Sequence, residues 1–226
     1  QPKIKSYSDK KYFEYAGAAG GYIDYIGIPF CKGRIIDTTE IDSNQYNESA
    51  PIFWASGACL FIRNAVFKKA NGFDADFFAH MEEIDLCWKI HRLGYNIQYI
   101  AESTVYHLGG ATLHKSNPKK TYLNVRNSLW MLQKHLPTNK LIPILFSRML
   151  LDGVAALNFL RIGQGKYLVA IFNAHMSFYF SGKNKGKRKA LSHLPYYYNN
   201  ATLILKKSII GLYYLKGKKT YSSIFK

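Results

Sequence analysis

The chain has 226 residues, 48% hydrophobic and 15% aromatic, and its 31 Lys and Arg against 14 Asp and Glu give a formal net charge of +17. That apolar content is ample for a packed core and excludes a chain disordered as a whole. The basic excess points to a polyanionic partner: nucleic acid, an anionic membrane or a phosphorylated substrate.

Three Cys (Cys31, Cys59, Cys87) have no close spacing, and two lie in the apolar contexts Ala-Cys-Leu-Phe and Asp-Leu-Cys-Trp. They predict buried reduced thiols, not a disulfide framework or a zinc site. The sequence opens at Gln1 with no signal region, and the expectation is a piece of a longer protein.

In chain order, Lys3 to Tyr7 alternates as a short strand, and the Gly-rich stretch Tyr15 to Asp24 reads as a flexible loop without phosphate-loop spacing. Arg34 to Gln45 is polar and reads as a mobile loop. Phe53 to Arg63 is nearly continuous apolar sequence with Ser56-Gly57-Ala58 inside it, which predicts a central strand that lets a ligand approach closely. A short helix over 65–70 ends at Asn71-Gly72. A turn through Asp74 to His80 leads to a helix over 81–93, then strands over 96–100 and 105–107. Asn117-Pro118 opens a helix running to Leu136, with Asn as N-cap and Pro at the first helical position.

Beyond Lys140 the composition changes. Leu141 to Leu160 is apolar but carries Pro143, Arg148 and Asp152; Tyr167 to Phe180 and Thr202 to Leu215 are apolar too, and Lys183 to Lys189 is a basic run. The internal charges argue against a membrane span and favour amphipathic helices lying on a membrane. The domain reading is 1–137 and a helical basic extension over 138–226.

Chemistry concentrates at Glu82-Glu83-Ile84-Asp85. Carboxylates in a helix's first turn are ordinary caps, but Phe77, Phe78, Met81 and Trp88 surround these with apolar groups. Desolvation raises a carboxyl pKa against the helix dipole, as a general base requires. His80 precedes the cluster and His107 follows the next strand; no HExxH or close His pair is present.

Ser56-Gly57-Ala58-Cys59-Leu60-Phe61-Ile62-Arg63, Gly72-Phe73-Asp74-Ala75-Asp76-Phe77-Phe78, Glu82-Glu83-Ile84-Asp85-Leu86-Cys87-Trp88 and His107 before Gly109-Gly110 resemble the second half of family 2 glycosyltransferases. The likeness is to the rhamnosyltransferase-like branch and covers about residues 50 to 136. It implies an α/β fold, the acceptor-side half of a Rossmann-like GT-A domain. It also implies inverting sugar transfer and a divalent cation, Mn or Mg. Glu83 then stands as the base, with Glu82 supporting it or binding the acceptor. Trp54, Gly57 and Asp85 would line the acceptor, Arg126 would reach the donor diphosphate and His107 would hold the metal.

The family's upstream Asp-x-Asp does not occur between Gln1 and Phe53, and the chain on its own is expected to be inactive. The implied partners are a nucleotide-sugar donor and a glycan or lipid-diphosphate-linked acceptor of bacterial surface polysaccharide. The implied location is cytoplasmic, peripheral on the inner face of the cell membrane. The alternative is a non-catalytic basic module for anionic membrane or nucleic acid. The sequence lacks RRM, KH and helix-turn-helix signatures, which weighs against nucleic acid.

Overall fold

The computed structural model describes residues 1–109, 117–197 and 202–225. Its first sheet has three strands, β1 (Pro2–Ser6), β6 (Ala50–Ile52) and β7 (Ile97–His107), in the order β1-β7-β6. β1 runs parallel to β7 with Ser6 opposite His107, and β6 runs antiparallel on the other side. The second sheet is a meander of β2 (Gly21–Asp24), β3 (Pro29–Cys31), β4 (Arg34–Ile35) and β5 (Thr38–Thr39), extended beyond β2 by β8 (Ile204–Leu205) in parallel.

Eight α-helices complete the described chain: α1 (Asn64–Lys69), α2 (Glu82–Arg92), α3 (Pro118–His135), α4 (Thr138–Arg161), α5 (Gly165–Phe180), α6 (Lys183–Ala190), α7 (Ile209–Tyr214) and α8 (Tyr221–Phe225). Helix α3 starts as its sequence dictates, with the Asn117 side chain accepting from Lys119 N and Pro118 in the first turn. The mixed α/β character matches the sequence reading.

Four details differ from that reading. The apolar run from Phe53 to Arg63 is not a strand; pairing stops at Ile52 apart from a bridge between Gly21 and Trp54. Its backbone donors go elsewhere: Ala55 N to Cys87 Sγ, Ser56 N to Gln1 Oε1 and Ala58 N to Ser56 Oγ. Diverted donors cannot continue a ladder. The Gly-rich loop contains strand β2, because Gly21 lets the Trp54 indole lie against the backbone; a Cβ there would come within 2.1 Å of the ring. Arg34 to Gln45 begins with the short β4–β5 hairpin. The strands expected over 96–100 and 105–107 form one continuous element, β7.

The C-terminal residues pack back onto the rest of the chain. Arg92, at the end of α2, donates to the carbonyls of Leu191, Leu194 and Pro195, while Trp88 Nε1 donates to Tyr197 O at 3.0 Å. Buried Asp24 accepts from Ile26 N, Ile28 N and Ile209 N, tying the start of α7 to β2. Tyr221 of α8 packs against Tyr22, Phe30 and Tyr46.

Candidate active site

The acidic cluster enters α2 through an unusual loop. Asp74 caps a 3₁₀ turn (Ala75–Phe77), its side chain accepting from Asp76 N. Phe78, His80 and Met81 then adopt φ of 64°, 68° and 72°. Such left-handed backbone costs roughly 1 kcal/mol or more at each non-glycine residue and persists only where its surroundings hold it.

Helix α3 supplies the hold. Asn127, fully buried, donates through Nδ2 to Phe77 O at 2.9 Å, Ala79 O at 2.8 Å and His80 O at 2.7 Å. Its Oδ1 accepts from Arg126, whose Nη2 also reaches Asp76 O and Phe77 O at 3.1 and 3.2 Å. One amide and one guanidinium therefore pin four of the five carbonyls from Asp76 to His80, all but that of Phe78.

That loop delivers Glu82 and Glu83 to the first turn of α2. Glu83 is half-buried as a residue, yet its Oε2 is sealed from solvent without a hydrogen-bond partner, as is Glu82 Oε2. Burial pushes the Glu83 carboxyl up to about 7; the Glu82 charge adds to the rise, and the N–H groups of Glu83 and Ile84 oppose it. Burial raises Glu82 as well. An isolated carboxylate near neutrality is suited to taking a proton. Gly57 stands beside this residue: a Cβ at that position would lie 3.9 Å from Glu83 Cβ, and Gly57 itself is exposed.

Asp85 is turned the other way, into the interior. It accepts from Lys134 Nζ at 2.8 Å and His135 Nε2 at 3.0 Å, with Lys89 Nζ at 3.8 Å. Burial alone would raise its carboxyl, but the His135 hydrogen bond and the Lys134 and Lys89 charges outweigh burial and hold it well below the usual range. Lys134 supplies the compensating cation, and burial lowers His135 to about 4, leaving that ring neutral and stacked on Trp88 at 4.9 Å. Lys134 also reaches Asp74 at 2.9 Å, and Lys187 of α6 pairs with Asp74 and Asp76. This ion network joins α2, α3 and α6 to the loop.

The other expected site residues fall in different places. Trp54 is 3% exposed and spends its Nε1 on Tyr22 O at 2.9 Å, so it is core in this structure, as is Asp85. Arg126 is a loop clamp stacked over Trp130. His107, at the end of β7, lies 3.8 Å from Glu14 Oε1, and its Nδ1 is buried without a hydrogen bond. No ion pair joins His107 to Glu82 or Glu83 among the described residues.

His107 and Glu14 offer two donors, short of the set a divalent cation needs. Among the described residues no group of three or more His, Cys, Asp and Glu could hold a metal. His114 and Gly110, which follow His107, lie outside the described residues. Lys134 was not singled out from sequence. Asn127 had a signal: a polar residue at helical spacing from the apolar Leu123, Trp130 and Met131.

Comparison with known proteins gives partial matches. Over 57 residues, 25% of the chain, the sequence is 35% identical to N-acetylglucosaminyl-diphospho-decaprenol L-rhamnosyltransferase of Mycobacterium tuberculosis, in strains CDC 1551 and H37Rv. Over 65 residues, 29% of the chain, it is 29% identical to rhamnosyltransferase WbbL of Escherichia coli K12. The matched stretches span 19% and 25% of these relatives. No family model and no solved structure matches the chain. Part of this chain is thus similar to glycosyltransferases.

Proposed function

We propose that the chain forms the acceptor side of an inverting glycosyltransferase of the GT-A type, with Glu83 as general base. The observation that carries this is the Glu83 carboxyl: partnerless at Oε2, raised to about 7, and with an exposed glycine beside the residue. The similarity to proteins named rhamnosyltransferases supports the reaction class.

In this reading a hydroxyl of the acceptor enters beside Gly57. Glu83 accepts the hydroxyl proton as the oxygen forms a bond to the anomeric carbon from the face opposite the leaving group. The bond from that carbon to the nucleoside diphosphate breaks, its electron pair leaves with the diphosphate, and the configuration inverts. Glu82 keeps Glu83 basic through its charge. Asn127 and Arg126 hold the strained loop that aims both carboxylates.

The donor is a nucleotide sugar. A relative's name includes a sugar on a lipid diphosphate, and an acceptor of that chemistry is proposed here.

The test is nucleotide release from a panel of nucleotide sugars, with and without Mg²⁺ or Mn²⁺, on the polypeptide as its own gene encodes it. Glu83→Gln keeps the shape and removes the base, so turnover falls about 10²–10⁴-fold. Equal turnover in both proteins defeats the assignment.

A further inference from the structure

Helix α4 is long and apolar enough to cross a membrane by length and composition, yet only 17% of its most apolar window is buried. The three features that argued from sequence against a membrane span, Pro143, Arg148 and Asp152, are each placed by the fold in a specific way. Arg148 turns inward and donates to Ser128 Oγ of α3 at 2.8 Å. Asp152 turns inward as well, 3.1 Å from His175 Nε2 of α5 and 3.7 Å from Arg148. Pro143 lies in the outward face, inside the helix, where its ring is apolar and one i to i−4 hydrogen bond is given up.

Every exposed residue of α4 from Ile142 to Leu157 is consequently apolar: Ile142, Pro143, Phe146, Met149, Leu150, Val154, Ala155 and Leu157. Phe146 is 57% exposed, Leu150 54% and Val154 67%. At 1.5 Å per residue this stripe runs for about 22 Å. Helix α5 widens it with Val169, Phe172 (58%) and Phe180 (81%). Water does not leave such a face bare for nothing: contiguous apolar patches of this extent mark a contact surface.

We infer that the α4–α5 face rests in the surface of a bilayer containing anionic lipid, with α4 lying in the membrane plane. Charge supplies the choice of occupant. Exposed cations stand at both ends of the hairpin, Lys140 where α4 begins and Arg161 and Lys166 at the turn into α5, with no exposed acid on either helix. Long cationic side chains at the rim of an apolar stripe reach the headgroup level while the stripe enters the acyl boundary. The in-plane orientation follows from the inward charges: the opposite side of α4 is committed to α3 and α5 through Arg148 and Asp152, and α3 carries the clamp on the carboxylate loop.

This inference stands apart from the proposed reaction, since it needs no donor, acceptor or turnover. The experiment is flotation of the full chain with vesicles of phosphatidylcholine alone and of phosphatidylcholine with phosphatidylglycerol. The chain floats with the anionic vesicles, and binding weakens as salt is raised. The double substitution Phe146→Glu with Phe172→Glu lowers binding at least about tenfold while the thermal midpoint is kept, because both side chains already face solvent. Lys140→Gln with Arg161→Gln lowers anionic binding and abolishes most of its salt dependence. Failure of the unaltered chain to float overturns the inference, as does undiminished flotation of the Phe146→Glu, Phe172→Glu protein. A dimer in solution that the same pair of substitutions splits, with no vesicle binding, shows a second copy of the chain on this face and overturns it too.

Discussion

Replacing Glu83 with Gln removes a buried negative charge while keeping the side chain's length and shape. The carboxyl rises from 4.5 to about 7 in the folded protein. Between those values the unfolded chain has released the proton and the folded chain still holds it, so raising the pH favours unfolding. Below the lower value the carboxyl costs nothing; through the window the cost grows, and above about pH 7 it is complete.

At the usual conversion of pKa shift to free energy the full cost is about 3 kcal/mol, most of which develops between pH 5 and pH 8. A Gln side chain has no proton to lose in this range, and its own packing or hydrogen-bond cost is the same at both pH values. The difference between the two proteins must therefore change with pH, whatever its absolute size.

Urea unfolding followed by tryptophan fluorescence reads this directly, because Trp54, Trp88 and Trp130 are all buried. At pH 8 the Gln protein gains about 2–3 kcal/mol relative to its standing at pH 5. A stability difference that stays constant from pH 5 to pH 8 refutes a raised Glu83 and removes the main support for its role.

Asn127→Ala leaves the Ala79 and His80 carbonyls without their donor, Phe77 O with Arg126 alone, and lets the left-handed loop relax. Stability falls by about 2–4 kcal/mol in urea unfolding, and turnover falls with it. Asp85→Ala leaves Lys134 and Lys89 short of a buried partner and costs about 3–5 kcal/mol. Because Asp85 is held below its unfolded value of 3.8, its contribution is present above that pH and is lost as the solution is acidified. Acid titration of the Asp85→Ala protein thus shows a shallower loss of stability than the unaltered chain. Gly57→Leu fits the fold, since ordinary contact distance separates a Cβ there from Glu83, but it fills the side by which the acceptor is proposed to enter. Unfolding is expected to be little changed while kcat/KM drops at least about tenfold.

Much of the helical frame was legible because its signals are local. Asn117-Pro118 caps α3 through one side chain and one fixed φ, and Glu82 to Arg92 follows a helical period with Gly94 beyond it. The strand expected over 53–63 failed for a non-local reason: Gln1 and Cys87, distant in sequence, take the backbone donors that a ladder would need. Glu83 could be singled out from an acidic pair amid aromatics. That its Oε2 is buried without a partner depends on how the chain closes around it, and sequence shows none of that. Asp85 looks equivalent to Glu82 by spacing, three residues apart on one helix, but Lys134 and His135 arrive from α3 and make it part of the interior. The inward turn of Arg148 and Asp152 was invisible for the same reason: composition counts charges without saying which way they face.

The measurement that tests Glu83 as the base most directly is the pH dependence of kcat/KM, for the protein as encoded and for Glu82→Gln. A rising limb with an apparent pKa near 7 is expected in the first, the value set by burial of Glu83 and the Glu82 charge. Glu82→Gln removes that charge and moves the limb to lower pH without abolishing turnover. A limb at the ordinary carboxylate value, or one that Glu82→Gln leaves in place, contradicts the assignment of Glu83 as the base.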